Sequence, residues 1–115
     1  MDINGLWTAS FAALGEGTGV VTVRDGVLSG GDANYYYIGS YQQDGAKVTG
    51  KLRVVHYAGP LTNVFGPVRE VELTFMGVAG DDLIMAQGTA RSVSHPLPRT
   101  QLAISLRRVA GLGDL

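Results

Sequence analysis

Apolar and polar residues alternate along most of this chain with the two-residue period of a half-buried β-strand. Trp7, Ala9 and Phe11 alternate with Thr8 and Ser10, β-branched residues gather from Val20 to Val23, and Asp25-Gly26 is the dipeptide a two-residue primed turn requires. Further along, Val48, Leu52, Val54 and His56 share one face with Gly50, against Thr49, Lys51, Arg53 and Tyr57. Val71, Leu73 and Phe75 oppose Glu70, Glu72 and Thr74, and Leu102, Ile104 and Leu106 oppose Gln101, Ser105 and Arg107. One face of each strand is dry and the other solvated. The pattern predicts strands over 3–11, 17–24, 26–31, 35–42, 46–57, 67–77, 82–89 and 101–109. The glycines fall between apolar runs at turn and bulge spacing, and no glycine-free window shows a capped helical period. The expected fold is all-β, an eight-stranded antiparallel up-and-down β-barrel, with residues 1–115 as one domain.

Loop lengths give this barrel a polarity. The tight turns Asp25-Gly26, Asp44-Gly45 and Ala79-Gly80-Asp81 fall at one end, and the connections near 12–16, 32–34, 58–66 and 90–100 at the other. Loops on a rigid scaffold carry recognition, so the end bearing the two long loops is the first place to look for a partner. The run Tyr35-Tyr36-Tyr37 cannot point wholly inward, because neighbouring strand residues alternate faces. At least one ring is displayed, either Tyr36 or the pair beside it, and tyrosine is favoured at interfaces.

Composition narrows the functional classes. The chain is 45% hydrophobic and 17% charged, as a folded domain should be, and a net charge of −1 leaves no basic stripe for phosphates, so no direct nucleic-acid binding is expected. With no cysteine there are no disulfides, thiolate metal sites or thiol nucleophiles. The opening residues lack the basic start and apolar run of a signal peptide, and no stretch reaches transmembrane length, so a cytoplasmic location and no membrane contact are expected.

The apparent chemical motifs dissolve in context. Gly15-Glu16-Gly17-Thr18-Gly19 joins two strands, lacks a following lysine and opens no helix, unlike a phosphate-binding loop. Ser94-His95 are adjacent in an extended segment before Pro96 and form no nucleophile elbow. Asp81-Asp82 reads as turn chemistry, and the two histidines, His56 and His95, do not cluster, so neither catalysis, a metal nor any cofactor is expected.

The order Asn4-Gly5-Leu6-Trp7, Phe11, Gly17-Thr18-Gly19-Val20, Arg24-Asp25-Gly26, Gly30-Gly31-Asp32 and Tyr37-Ile38-Gly39-Ser40-Tyr41 resembles the GrlR family, bacterial negative regulators of type III secretion gene expression. Val54-Val55-His56-Tyr57 and Asn63-Val64-Phe65-Gly66 continue the likeness, which covers about residues 3–75. The resemblance implies a calycin- or lipocalin-like barrel with an apolar interior, a homodimer, and regulation by binding a transcriptional activator protein. Members from enteric pathogens carry an acidic run at the turn matching Gln42-Gln43-Asp44-Gly45, where this chain keeps Asp44 alone. The partner-binding candidates are therefore Tyr36, Asp44, Leu61, Val64, Phe65 and His95, with the long-loop mouth favoured over the turn. The alternative is a carrier of a lipid-like small molecule, its cavity lined by Trp7, Phe11, Leu52, Val54, Leu73 and Phe75, with His56 orienting a polar head group.

Overall fold

The computed structural model describes residues 2–13, 16–61, 67–93 and 100–113. Eight strands follow in order: β1 (Gly5–Ala12), β2 (Glu16–Arg24), β3 (Val27–Gly31), β4 (Tyr35–Asp44), β5 (Lys47–His56), β6 (Glu70–Ala79), β7 (Leu83–Ser92) and β8 (Thr100–Ala110). Each pairs antiparallel with the next, and β1 pairs with β8 to close an up-and-down barrel of the calycin- or lipocalin-like kind expected. Among the described residues no helix is long and apolar enough to cross a membrane.

The expected strands are all present, with shifted limits where backbone chemistry intervenes. The sixth begins at Glu70 rather than 67, three residues after Pro67, which has no N–H to donate; one backbone bond from His56 N to the Arg69 carbonyl leads into the ladder. It runs on through Gly77 to Ala79, since Gly77, Val78 and Ala79 keep pairing with Ala86, Met85 and Ile84. Asp25 and Gly26 both have positive φ, 46° and 86°, the backbone of the primed turn read from the sequence.

Alternation places the core inside the barrel. Tyr35 and Tyr37 point inward and are buried, while Tyr36 is 42% exposed, which settles the parity of the tyrosine run. Two inward glycines make room for rings. A Cβ on Gly19 would lie 2.5 Å from the Tyr37 hydroxyl oxygen, and one on Gly50 would lie 2.7 Å from Phe75 Cζ. Tyr37 in turn meets Phe11 edge-on at 5.6 Å between centroids.

The tight-turn end is shut by the first and last strands together. Ile3 and Trp7 are buried, and Trp7 Nε1 donates to the Ile3 carbonyl at 3.0 Å. Arg108 lies over the Trp7 ring at 4.8 Å and donates to the carbonyls of Asn4, Asp2 and Asp81 at 2.7, 2.8 and 2.8 Å. The Asn4 side chain exchanges two 2.9 Å hydrogen bonds with Asp25, through its carboxylate and its backbone N–H, and so ties the β2–β3 turn to the same cluster. A register shift between Leu6 and Trp7 in the β1–β8 ladder accompanies this arrangement.

Removing the indole should therefore cost about 3–5 kcal/mol of stability for Trp7→Ala, through lost burial and the cavity left behind. Arg108→Ala should cost about 2 kcal/mol, from lost charge-assisted hydrogen bonds to three carbonyls. Urea denaturation checks both, and an unchanged midpoint for Trp7→Ala would show that the ring is not part of the core.

Candidate functional site

At the long-loop end the short β3–β4 turn organises its surroundings through Asp32. Its Oδ1 accepts from the backbone N–H groups of Asn34 and Tyr35, both at 2.9 Å, the local closure for which aspartate is favoured in turns. Its Oδ2 accepts from the Tyr37 hydroxyl at 2.5 Å, and its carbonyl accepts from the Tyr57 hydroxyl at 2.6 Å. Asn34 reaches the next connection: its carbonyl accepts from Tyr57 N and Ala58 N, and its Nδ2 donates to the carbonyls of Ala58 and Pro60. Tyr35 donates to the Val68 carbonyl at 2.6 Å, so both arms of the β5–β6 connection are fixed to one turn.

The Gly30-Gly31-Asp32 motif that carried the family resemblance is thus the anchor of a loop platform. Burial, then the hydrogen bond to Asp32 and its negative charge, push the Tyr37 hydroxyl well above the ordinary tyrosine range.

The cavity candidates separate into two groups. The barrel encloses an apolar cavity of about 50 Å³, and Phe11, Leu52, Leu73 and Phe75 line it. Trp7, Val54 and His56 do not. Trp7 is spent on closing the tight-turn end beneath Arg108, and Val54 is buried in the core away from the void. His56 sits half-buried at the rim, edge-on to Tyr35 at 5.4 Å, and its Nε2 donates to the Gly59 carbonyl at 2.8 Å. Its polar tip faces the loop and not the interior, so it is not placed to orient a ligand there. A pocket for a small organic ligand usually measures about 300–1,000 Å³, several times this void.

The partner candidates lie on different parts of the surface. Leu61 is half-buried, one residue beyond the Pro60 carbonyl that Asn34 holds. Val64, Phe65 and His95 lie outside the described residues. Asp44 is exposed at the tight-turn end, opposite Lys47 in the β4–β5 ladder. Tyr36 stands on the outer wall near the long-loop end, with Ile38, 49% exposed, two residues along the same strand. Its cross-strand partners are Val55 and Gly31, and the glycine presents no side chain to the ring on that flank. The next positions round the wall carry the ion pairs Arg53–Glu70 and Arg91–Glu72, at 2.5 and 2.6 Å.

Among the described residues no three His, Cys, Asp or Glu side chains come together as a metal site would need. The sequence reading missed Asn34 and Arg108, which do as much positioning as any motif residue. Arg108 had a visible signal, because the alternation of Leu102, Ile104 and Leu106 assigns the next inward position to an arginine. Neither the family models nor the curated proteins give a match to the chain.

Two outcomes follow from this geometry. The unfolded chain releases the Tyr37 proton near pH 10 while the folded protein holds it, so the stabilisation is full below pH 10 and declines as pH rises further, by up to about 1.4 kcal/mol per pH unit. Chemical denaturation between pH 8 and 11 should show a shallower alkaline decline for Tyr37→Phe than for the wild type. Long-chain fatty acids and apolar dyes should show no saturable binding at micromolar concentration; a stoichiometric lipid complex surviving native mass spectrometry would show that the interior opens.

Proposed function

We propose that this protein is a non-enzymatic regulator of the GrlR kind, cytoplasmic and homodimeric, that works by holding another protein, a transcriptional activator, against its outer wall and loop end. The exposed pair Tyr36 and Ile38 beside the Asp32-centred platform is the observation that carries this reading. A tyrosine with an apolar neighbour and one open flank gives a partner a large, rigid contact at small entropic cost. The loop platform offers that partner a surface whose shape is set before binding, which lowers the ordering cost of association. The carrier alternative has less support, since a 50 Å³ void has no room for a lipid chain.

Within this reading the wall outranks the turn. One aspartate opposite a lysine exerts little pull on a basic partner at physiological salt.

The test is affinity capture from native lysate, identification of the retained protein, and reconstitution with purified components. Tyr36→Ala should weaken the reconstituted complex at least tenfold, which corresponds to about 1.4 kcal/mol, while Asp44→Asn changes it less than twofold. The reverse order of effects, in variants with unchanged melting midpoints, would return recognition to the Asp44 turn.

A further inference from the structure

Glycine follows an asparagine or an aspartate three times in this chain, at Asn4-Gly5, Asp25-Gly26 and Asp44-Gly45. These dipeptides share one chemical weakness. Glycine has no Cβ to shield its backbone nitrogen, so that nitrogen can reach the side-chain carbonyl carbon of the residue before it. The new C–N bond closes a five-membered succinimide, and the amide proton departs with the side chain's leaving group, as water from an aspartic acid carboxyl and as ammonia from an asparagine amide. Water then opens the ring at either carbonyl. One opening gives an aspartyl chain, the other an isoaspartyl chain with an extra methylene in its backbone. Aspartate ends with its mass unchanged, because the water lost is regained, whereas asparagine exchanges ammonia for water.

The fold treats the three dipeptides unequally. Asn4 and Asp25 hold each other, with Asn4 Nδ2 donating to Asp25 Oδ1 and Asp25 N donating to Asn4 Oδ1, both at 2.9 Å. The Asn4 backbone is fixed as well, since its N–H donates to Asp2 Oδ1 at 2.9 Å and its carbonyl accepts from Arg108 Nη1 at 2.7 Å. Gly5 lies in the β1–β2 ladder opposite Val23, and the Gly26 carbonyl accepts from Tyr41 N at 3.0 Å. Either side chain must leave this clasp before it can turn onto its glycine.

Asp44-Gly45 has no such restraint. Asp44 is the exposed last residue of β4, and among the described residues its carboxylate has no hydrogen-bond or ion-pair partner. Gly45 opens the two-residue turn to β5 at a φ of 58°, and a Cβ placed on it would meet nothing within 4 Å. Gln43 Nε2 donates to the Gly45 carbonyl at 3.0 Å, while the Gly45 nitrogen stands outside both ladders.

We propose that Asp44-Gly45 is the site of spontaneous isoaspartate formation in the folded protein, and that the Asn4–Asp25 clasp keeps the other two dipeptides unreacted. Water is the only co-reactant. A two-residue turn closes on the Asp44–Lys47 pair at one backbone length, so a methylene inserted at Asp44 breaks the match and loosens the last rung of the β4–β5 ladder. The carboxylate keeps its charge but moves onto the α carbon, which changes how the acid of this turn meets any partner. The proposal is independent of the regulatory reading.

The test ages the full chain at neutral pH in buffer and, in parallel, in concentrated guanidinium chloride, with peptide mapping and electron-transfer fragmentation to separate aspartyl from isoaspartyl at each site. In buffer the rates at Asn4 and Asp25 should fall about tenfold or more below their unfolded-chain rates, because the hydrogen bonds of the clasp must break first, while the rate at Asp44 stays within about threefold. Asp44→Glu, which keeps the charge but would have to close a six-membered ring, should remove the signal at that turn. Asp25→Gly suits the φ of 46° while deleting the carboxylate, and it should raise the rate at Asn4 several-fold in a variant whose melting transition shows it folded. Protection at Asp44 equal to that at Asp25, or Asn4 reacting in buffer as fast as in denaturant, overturns the proposal.

Discussion

The contact between Arg108 and Trp7 governs this barrel, because it joins the first strand to the last at the point where a β-sheet has to become a closed wall. An indole is large and apolar enough to fill the narrow end, but it leaves one N–H to satisfy, and the Ile3 carbonyl takes it. That bond draws the preceding residues across the opening, and the guanidinium caps them by donating to the carbonyls of Asp2 and Asn4. Gly5 is required beneath this cap, since a Cβ there would lie 2.9 Å from the Ala110 carbonyl oxygen. The Asn4-Gly5-Leu6-Trp7 sequence is therefore a closing device, each polar or small residue answering one demand that the indole makes.

The opposite end solves a different problem with a similar economy of residues. There the connections are long in sequence, and the described part of the β5–β6 connection has backbone donors and acceptors beyond the ladders. One aspartate and one asparagine in the β3–β4 turn satisfy many of them, reaching across to residues more than twenty positions away. Among the described residues no buried side-chain nitrogen or oxygen is left without a hydrogen-bond partner. Among the described residues, the tight-turn end is closed by the first and last strands, and the other end is braced through Asp32 and Asn34.

Much of this was legible in the alternation of residues. A barrel with a dry inside and a wet outside writes a two-residue period into every strand, so the inward role of Leu52, Leu73 and Ile104 could be read directly. The size of the interior could not. Alternation says which side chains face inward but not whether they fill the space, and that depends on where a glycine lets a ring cross the axis, as Gly19 does for Tyr37 and Gly50 for Phe75. The platform around Asp32 was hidden for another reason, because its members come from three separate segments and each looks locally like an ordinary turn or strand end. His56 misleads in the same way: its parity is inward, but at the last residue of β5 the ring turns to the loop carbonyl it can bond.

Closing the sheet through β1 and β8 ties the order of synthesis to the order of assembly. Leu6 pairs with Ala110 and Trp7 with Arg108, so the seam joins residues about a hundred positions apart. Until the last strand has left the ribosome, β1 and β7 are both open edges and the indole has no lid. A nascent chain in that state exposes the strand edges that promote faulty pairing between chains. Such a seam also carries a loop-closure cost, so the barrel belongs to the slower-folding topologies.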